Sequence, residues 1–152
     1  MTAVLTRPAT LADLDVVAPL FDAYRQFYEQ APDLDRARAF IGEPLTRHES
    51  VVLLAEVPGD GVVGFCQLYP TFCSVEAAPV YALYDLYVAP DARRSGAGRA
   101  LLLAAERLAA AEGKVRLDLT TARTNAAAQS AYEAMGWVRD EVFFAYSRQV
   151  GR

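Results

Sequence analysis

The sequence is poor in the residues that build metal and redox centres, with one histidine and two cysteines in 152 residues. His48, Cys66 and Cys73 cannot supply a four-ligand zinc set, and the two cysteines are expected as buried free thiols rather than a disulfide. His48, in LTRHESV, is read as a loop or helix-end residue rather than a catalytic base. No apolar run approaches the roughly 18 residues of a membrane span. Arg7, Asp13 and Asp15 interrupt the segment where a secretory signal would need continuous apolar residues. A soluble, cytoplasmic protein without membrane contact is therefore expected. An excess of positive charge is missing as well: the formal net charge is -4, so general affinity for nucleic acid is not indicated and any anion site must be local.

Internal repeats, low-complexity tracts and linker-like shifts in composition are also missing, and a single domain spanning residues 1–152 is expected. What the chain does have is a change of hydrophobic period. AVLTRPA reads as a short strand, and Thr10 caps a helix on Leu11, Leu14, Val17, Phe21, Tyr24 and Tyr28, which Pro19 should kink or split. DLDRARAFIGEPL carries a second amphipathic pattern, ending near Gly42 to Pro44. SVVLLAEV and GVVGFCQLYPTF flank the turn signal PGDG and form an antiparallel hairpin. VYALYDLYV is the next strand. A helix on Leu101, Leu102, Ala105, Leu108 and Ala109 closes at Gly113. KVRLDLTT, a short helix in NAAAQSAYEAM and a final strand in FFAYSRQV complete an α/β order. It predicts a mixed, mostly antiparallel sheet of six to seven strands with helices on both faces.

Between VYALYDLYV and the following helix lies ARRSGAGRA. A strand, a glycine turn and a helix start make an anion site, because the first helical N–H groups lack partners and the helix dipole favours negative charge. A P-loop requires Lys and Ser or Thr after its second glycine, and here Arg99 and Ala100 follow Gly98. A dinucleotide fingerprint requires a third glycine where Leu101 stands. R/Q-x-x-G-x-G/A is satisfied in full by Arg93, Arg94, Ser95, Gly96, Ala97 and Gly98.

With this motif, and with TARTNAAAQSAYEAMGW, in which Asn125 precedes Tyr132 by seven residues, the chain resembles the GNAT superfamily of acyl-CoA-dependent N-acetyltransferases. The similarity covers nearly the whole chain. LFDAYRQFY, LYPTF and GWVRDEVFFAY look toward its histone, polyamine and amino-acid acetyltransferase-like branch. The resemblance implies a GNAT fold and an acetyl-CoA cosubstrate, with the acetyl group passing directly to a primary amine in a ternary complex. It implies that backbone N–H groups from Arg94 to Arg99 cradle the pyrophosphate. Arg93, Arg94 and Arg99 add charge there. It further implies that one N–H among Leu86, Tyr87 and Val88 polarises the thioester carbonyl, and that Tyr132 protonates the departing thiolate. Asn125 is a pantetheine contact, a helix N-cap, or both.

A general base is less defined. Polyamine acetyltransferases of the superfamily carry an acidic pair on this strand, where this sequence has Tyr84 and Asp85. By strand alternation these two point to opposite faces. Asp85 is either a base acting through water or a buried structural carboxylate, and Glu29, Glu76 or a water chain are alternatives. Tyr24, Tyr28, Glu29, Tyr69, Phe72 and Tyr84 are the acceptor-side candidates, for an amine-bearing substrate. The last strand would offer an edge for homodimer pairing. A non-catalytic acyl-CoA-binding sensor or regulatory module would keep the same glycine turn yet release no thiol with any amine.

Overall fold

The computed structural model describes residues 3–152. Its chain divides into two compact units, Met1–Thr120 and Thr121–Arg152. The first begins with β1 (Leu5–Pro8). Thr10 then caps a 3-10 turn, its backbone N–H donating to Asp13 Oδ2 at 2.8 Å. Arg7 grips the same carboxylate at 2.8 Å and Glu56 at 2.6 Å, which holds the Asp13 carboxyl at about 2, below its usual range.

Two helices follow, and both run through their prolines. α1 (Leu14–Phe27) continues past Pro19 as one element. The Asp15 carbonyl loses its helical donor to Pro19, and Asp15 is exposed, so that carbonyl is open to solvent. α2 (Leu34–Arg47) passes Gly42 and Pro44 and ends one turn later than its sequence suggests. His48 terminates it in the left-handed conformation at φ 56°, as a helix-end residue. Buried Asp22 links the two helices by accepting from the Asp33 N–H at 3.0 Å.

β2 (Val51–Val57), β3 (Gly61–Cys73) and β4 (Ala78–Val88) form an antiparallel meander beside β1. After the glycine turn comes α3 (Ala97–Ala111), and β5 (Leu117–Asp118) joins β4 in parallel. The result is a mixed α/β sheet in the order β1-β2-β3-β4-β5, five strands among the described residues rather than six or seven. One row of alternate residues, with Val52, Leu54 and Phe65, packs on Val17, Phe21, Ala37 and Ile41 of α1 and α2. Leu53, Cys66 and Leu68 point to the other face, where α3 buries Leu101, Leu102, Ala105 and Ala109. Cys66 is a buried free thiol as expected, whereas Cys73 is free but only half-buried.

One irregularity organises the sheet. β3 and β4 pair in register from Gly64 with Val88 to Gln67 with Asp85, and then Leu68 faces Leu83. Tyr84 is therefore an extra residue, a β-bulge that bends the strand and shifts its alternation by one. KVRLDLTT, expected as a full strand, pairs only at Leu117 and Asp118, opposite Tyr81 and Ala82. Beyond Ala82 the bent strand leaves it.

The second unit contains α4 (Ala126–Ala134), closed by Gly136 at φ 92°. FFAYSRQV, expected as the last strand, has no regular secondary structure and no ladder partner among the described residues. Aromatic and β-branched residues favour a pleated surface, but a strand needs a neighbour's N–H and C=O groups. Asp140 instead turns the chain at the start of this segment, accepting from Val142 N–H at 2.8 Å and Phe143 N–H at 3.2 Å.

Gly64 is the point of closest approach between β3 and β4. A Cβ there would lie 2.8 Å from the Tyr87 carbonyl oxygen and 3.2 Å from Val88 Cγ2. Gly64→Ala should therefore destabilise the protein by about 1–3 kcal/mol through overpacking, read as a lower urea midpoint. An unchanged midpoint would show that β4 yields freely at this position.

Candidate active site

The glycine turn is fastened to the end of β4. Arg93 Nε donates to the Val88 carbonyl at 3.1 Å, and its guanidinium lies 5.7 Å from the Tyr87 ring centre. Arg93 is thus a clasp between turn and strand. Arg94 and Arg99 are exposed and have no acid partner among the described residues. Gly96 caps α3 at φ 90°, a conformation that disfavours side chains, and a Cβ there would meet nothing within 4 Å. At Gly98 a Cβ would touch only Val88 Cγ2, at 3.9 Å.

The turn's own donors divide into two groups. The Ser95 N–H donates to Ala92 C=O at 3.1 Å, and the Ala97 N–H to Ser95 Oγ at 3.2 Å. Those of Arg94, Gly96, Gly98 and Arg99 reach no acceptor among the described residues. Open space above Gly96, available N–H groups at a helix start and two unpaired guanidinium groups fit a polyanion such as a pyrophosphate.

Beside the turn, β4 presents an edge with no strand partner among the described residues. The Ala89 N–H donates to Val63 C=O at 2.8 Å, so antiparallel alternation puts Tyr87 in the β3 ladder. The same alternation directs the Leu86 and Val88 N–H groups to the opposite side. There β5 no longer pairs, since its contact with β4 ends at Ala82. Leu86 and Val88 therefore hold the N–H groups that can meet a bound carbonyl, while the Tyr87 N–H is occupied.

The bulge also corrects the orientation of Tyr84 and Asp85. They do not point to opposite faces. Asp85 opposes Gln67 on the face covered by α1, and the Tyr84 ring lies 5.4 Å from Tyr69 on that same face. Asp85 is 5% exposed, and its Oδ2 accepts from Gln67 Nε2 at 2.6 Å. Gln67 Oε1 in turn accepts from Ser50 Oγ at 2.9 Å. The Tyr24 hydroxyl, beside the carboxylate, donates to the Tyr84 carbonyl at 3.2 Å. Burial raises the Asp85 carboxyl above its ordinary value, with the Gln67 and Tyr24 hydrogen bonds opposing the shift. Burial, followed by the charge of Asp85, raises Tyr24 and brings Tyr69 to about 12.

Tyr24 also meets Tyr28 edge-on at 5.1 Å and Tyr87 at 6.4 Å. Tyr24, Tyr28, Tyr69 and Tyr84 thus gather near Asp85. Phe72 does not join them, because alternation along β3 sets it on the opposite face from Tyr69. Glu29 lies past the end of α1, exposed and at φ 64°. Glu76 is paired with Arg116 at 3.1 Å.

A sequence profile of the acetyltransferase (GNAT) family matches residues 17–137. The chain belongs to this family. It is an acyl-CoA-dependent N-acetyltransferase. An uncharacterized N-acetyltransferase, YhfO of Bacillus subtilis (strain 168), is 46% identical over 144 residues, covering 95% of this chain and 96% of that one. The crystal structure of a probable acetyltransferase superimposes with a TM-score of 0.89 at 37% identity and covers 99% of both chains. The aminoglycoside N-acetyltransferase AAC(6')-Iy, solved in complex with CoA, shares the fold at a TM-score of 0.81 and 19% identity, over 99% of this chain and 97% of that one.

The acetyltransferase keeps its two remaining candidates in the C-terminal unit. Asn125 is the N-cap of α4, its Oδ1 accepting from Ala128 N–H at 3.2 Å. Tyr132 sits within α4, its ring 6.0 Å from that of Trp137. Gln67 and Ser50 escaped the sequence reading, although a glutamine inside the apolar run GFCQLY was a visible exception. Among the described residues, no helix of the acetyltransferase is long and apolar enough to cross a membrane.

Holding Asp85 buried has a thermodynamic sign. Because the folded state raises its pKa, the native protein binds more protons between the unfolded value of 3.8 and the raised value. Stability from this group therefore falls as pH rises through that window. Asp85→Asn should raise the melting temperature at pH 7 and above, with the difference vanishing below about pH 3.8, where both states carry the neutral acid. Equal melting temperatures at pH 7 would mean that the charge is not penalised.

Proposed function

We propose that the protein transfers an acetyl group from acetyl-CoA to a primary amine by direct attack in a ternary complex, with residues 1–152 acting as one catalytic domain. The observation that supports this most is the continuity of the glycine turn with the unpaired β4 edge, joined through Arg93 and Val88. The N–H groups of Gly96, Gly98 and Arg99, with Arg94 and Arg99, would hold the pyrophosphate. Leu86 and Val88 would offer N–H groups to the thioester carbonyl. Acetyl-CoA, when bound, supplies an activated acyl carbon and a thiolate leaving group.

Asp85 then takes one proton from the substrate ammonium, through water, and later releases it to solvent. Tyr132 gives its phenolic proton to the leaving sulfur and regains one from the acylated nitrogen. A phenolic hydroxyl can donate a proton to a departing thiolate. This role rests on the match of Tyr132 to the GNAT family's tyrosine near the thioester sulfur. Tyr24, Tyr28, Tyr69 and Tyr84 form the acceptor side, where neutral aromatic faces beside one carboxylate suit a cationic amine. The net charge of -4 favours the same class of acceptor.

Calorimetry with acetyl-CoA, followed by thiol release across amines, polyamines, amino acids and lysine peptides, tests the reading. Gly98→Glu adds an anion where the fold has room, and should weaken acetyl-CoA at least about tenfold, or about 1.4 kcal/mol, without lowering the melting temperature. Unaltered affinity would remove the turn from the cofactor site. Tyr132→Phe should lower kcat by roughly ten- to a thousandfold while leaving acetyl-CoA affinity near wild type. A wild-type kcat would exclude Tyr132 as the proton donor.

A further inference from the structure

Gln67 is completely buried in the middle of the sheet, an uncommon place for an amide that carries two donor hydrogens and two acceptor lone pairs. Leaving either end without a partner would cost the full desolvation of that group. Both ends are used. Ser50, also buried, immediately precedes β2 and donates to Oε1 at 2.9 Å, and Nε2 donates to Asp85 Oδ2 at 2.6 Å. We infer that Ser50 and Gln67 are positioning residues for Asp85, a reversible relay that satisfies its carboxyl group in both protonation states. This inference rests on the proposed role of Asp85 as the base.

The chemistry of the three groups carries the inference. With Asp85 ionised, the amide must present its NH₂ group to the carboxylate, which leaves Oε1 for the serine hydroxyl. With Asp85 protonated, the acid becomes a donor. A rotation of the amide by half a turn then offers Oε1 to the acid and NH₂ to Ser50 Oγ, and the hydroxyl rotates to accept. A lysine or arginine at position 67 could satisfy only the ionised form. An apolar residue could satisfy neither. A base that gains and loses a proton in each turnover needs a partner that can reverse, and a glutamine backed by a serine provides it.

The other titratable groups on the face of Asp85 are Tyr24 and Tyr28 of α1, Tyr69 of β3 and, beside it on β4, Tyr84, while the Cys66 thiol lies across the sheet yet within reach of the Asp85 charge. Burial pushes Tyr24 up, and Cys66 and Tyr69 to about 12, so these three stay neutral across the range in which a carboxyl titrates. Asp85 can be followed without their interference.

The test is a ¹³C NMR titration of the Asp85 carboxyl carbon in the unliganded protein, compared with the acid limb of kcat against pH. Gln67→Met, of similar volume, removes the donor to the carboxylate and should raise the Asp85 midpoint by about one pH unit, moving the kcat limb in step. Ser50→Ala should shift both by less in the same direction, and Ser50→Thr should restore them. If Gln67→Met does not fold, the serine pair decides. A fall in kcat with an unmoved carboxyl midpoint would overturn the relay and leave Gln67 a packing residue. Full kcat in Asp85→Asn would instead reject Asp85 as the base, while the NMR midpoints of the Gln67 and Ser50 variants would still judge the relay separately.

Discussion

One extra residue in β4 sets the geometry on which the candidate site depends. Were Tyr84 paired normally, strand alternation would send Asp85 to the face covered by α3 and turn the Leu86 and Val88 N–H groups into the β3 ladder. The bulge reverses both assignments at once. It brings a carboxylate under α1 and leaves two backbone donors without a strand partner among the described residues. It also coincides with the end of β5 pairing, which stops two residues earlier at Ala82. A bulge bends its strand and increases the local twist, so the parting of β4 from β5 and the reversal of side chains have a common origin.

The same reversal creates an electrostatic problem. A carboxylate 5% exposed on an aromatic face loses most of its hydration. The structure answers with hydrogen bonds rather than with a countercharge: Gln67 is held by Ser50, and Tyr24 lies alongside. An arginine in that position would have made a more stable and less useful group, because it would have kept the acid ionised. The remaining shift is upward, which lowers stability near neutral pH and brings the acid toward the range where it can exchange protons with an amine. Stability and the proposed chemistry pull in opposite directions at this residue.

Around this carboxylate the α1 face is mostly neutral and aromatic, whereas the glycine turn carries unpaired positive charge on Arg94 and Arg99. The two chemistries lie at either end of one short strand segment, Asp85 to Val88. Gly64 and Gly98 let Val88 sit close to both β3 and the start of α3, so the turn, the strand edge and the buried acid are held by contiguous backbone. A rigid arrangement of this kind suits a reaction in which the acyl carbon and the amine must be aligned before any bond changes.

Much of this was readable in the residues themselves. The hairpin at PGDG, the helix after the glycines, His48 as a loop or helix-end residue and the R-x-x-G-x-G turn follow from local rules of turn and cap chemistry, and these act over a few neighbouring positions. The motif also fixed which class of donor the turn resembles. Pro19 misled as a point where α1 would split and Pro44 as a helix stop, because a lost backbone bond at an exposed carbonyl is open to water. FFAYSRQV misled as a strand, since strand formation depends on a partner and not on composition. The bulge at Tyr84, the burial of Asp85 and its line to Gln67 and Ser50 have no local signature. They are decided by how β3 pairs with its neighbours, which brings Gln67 to Ser50 and to Asp85, 17 and 18 positions away in the chain. Local sequence therefore determined most of the elements and the glycine turn. Only the tertiary pairing decided which side chains share a face and which backbone donors are left free, because both alternate with a period of two and a single inserted residue reverses them.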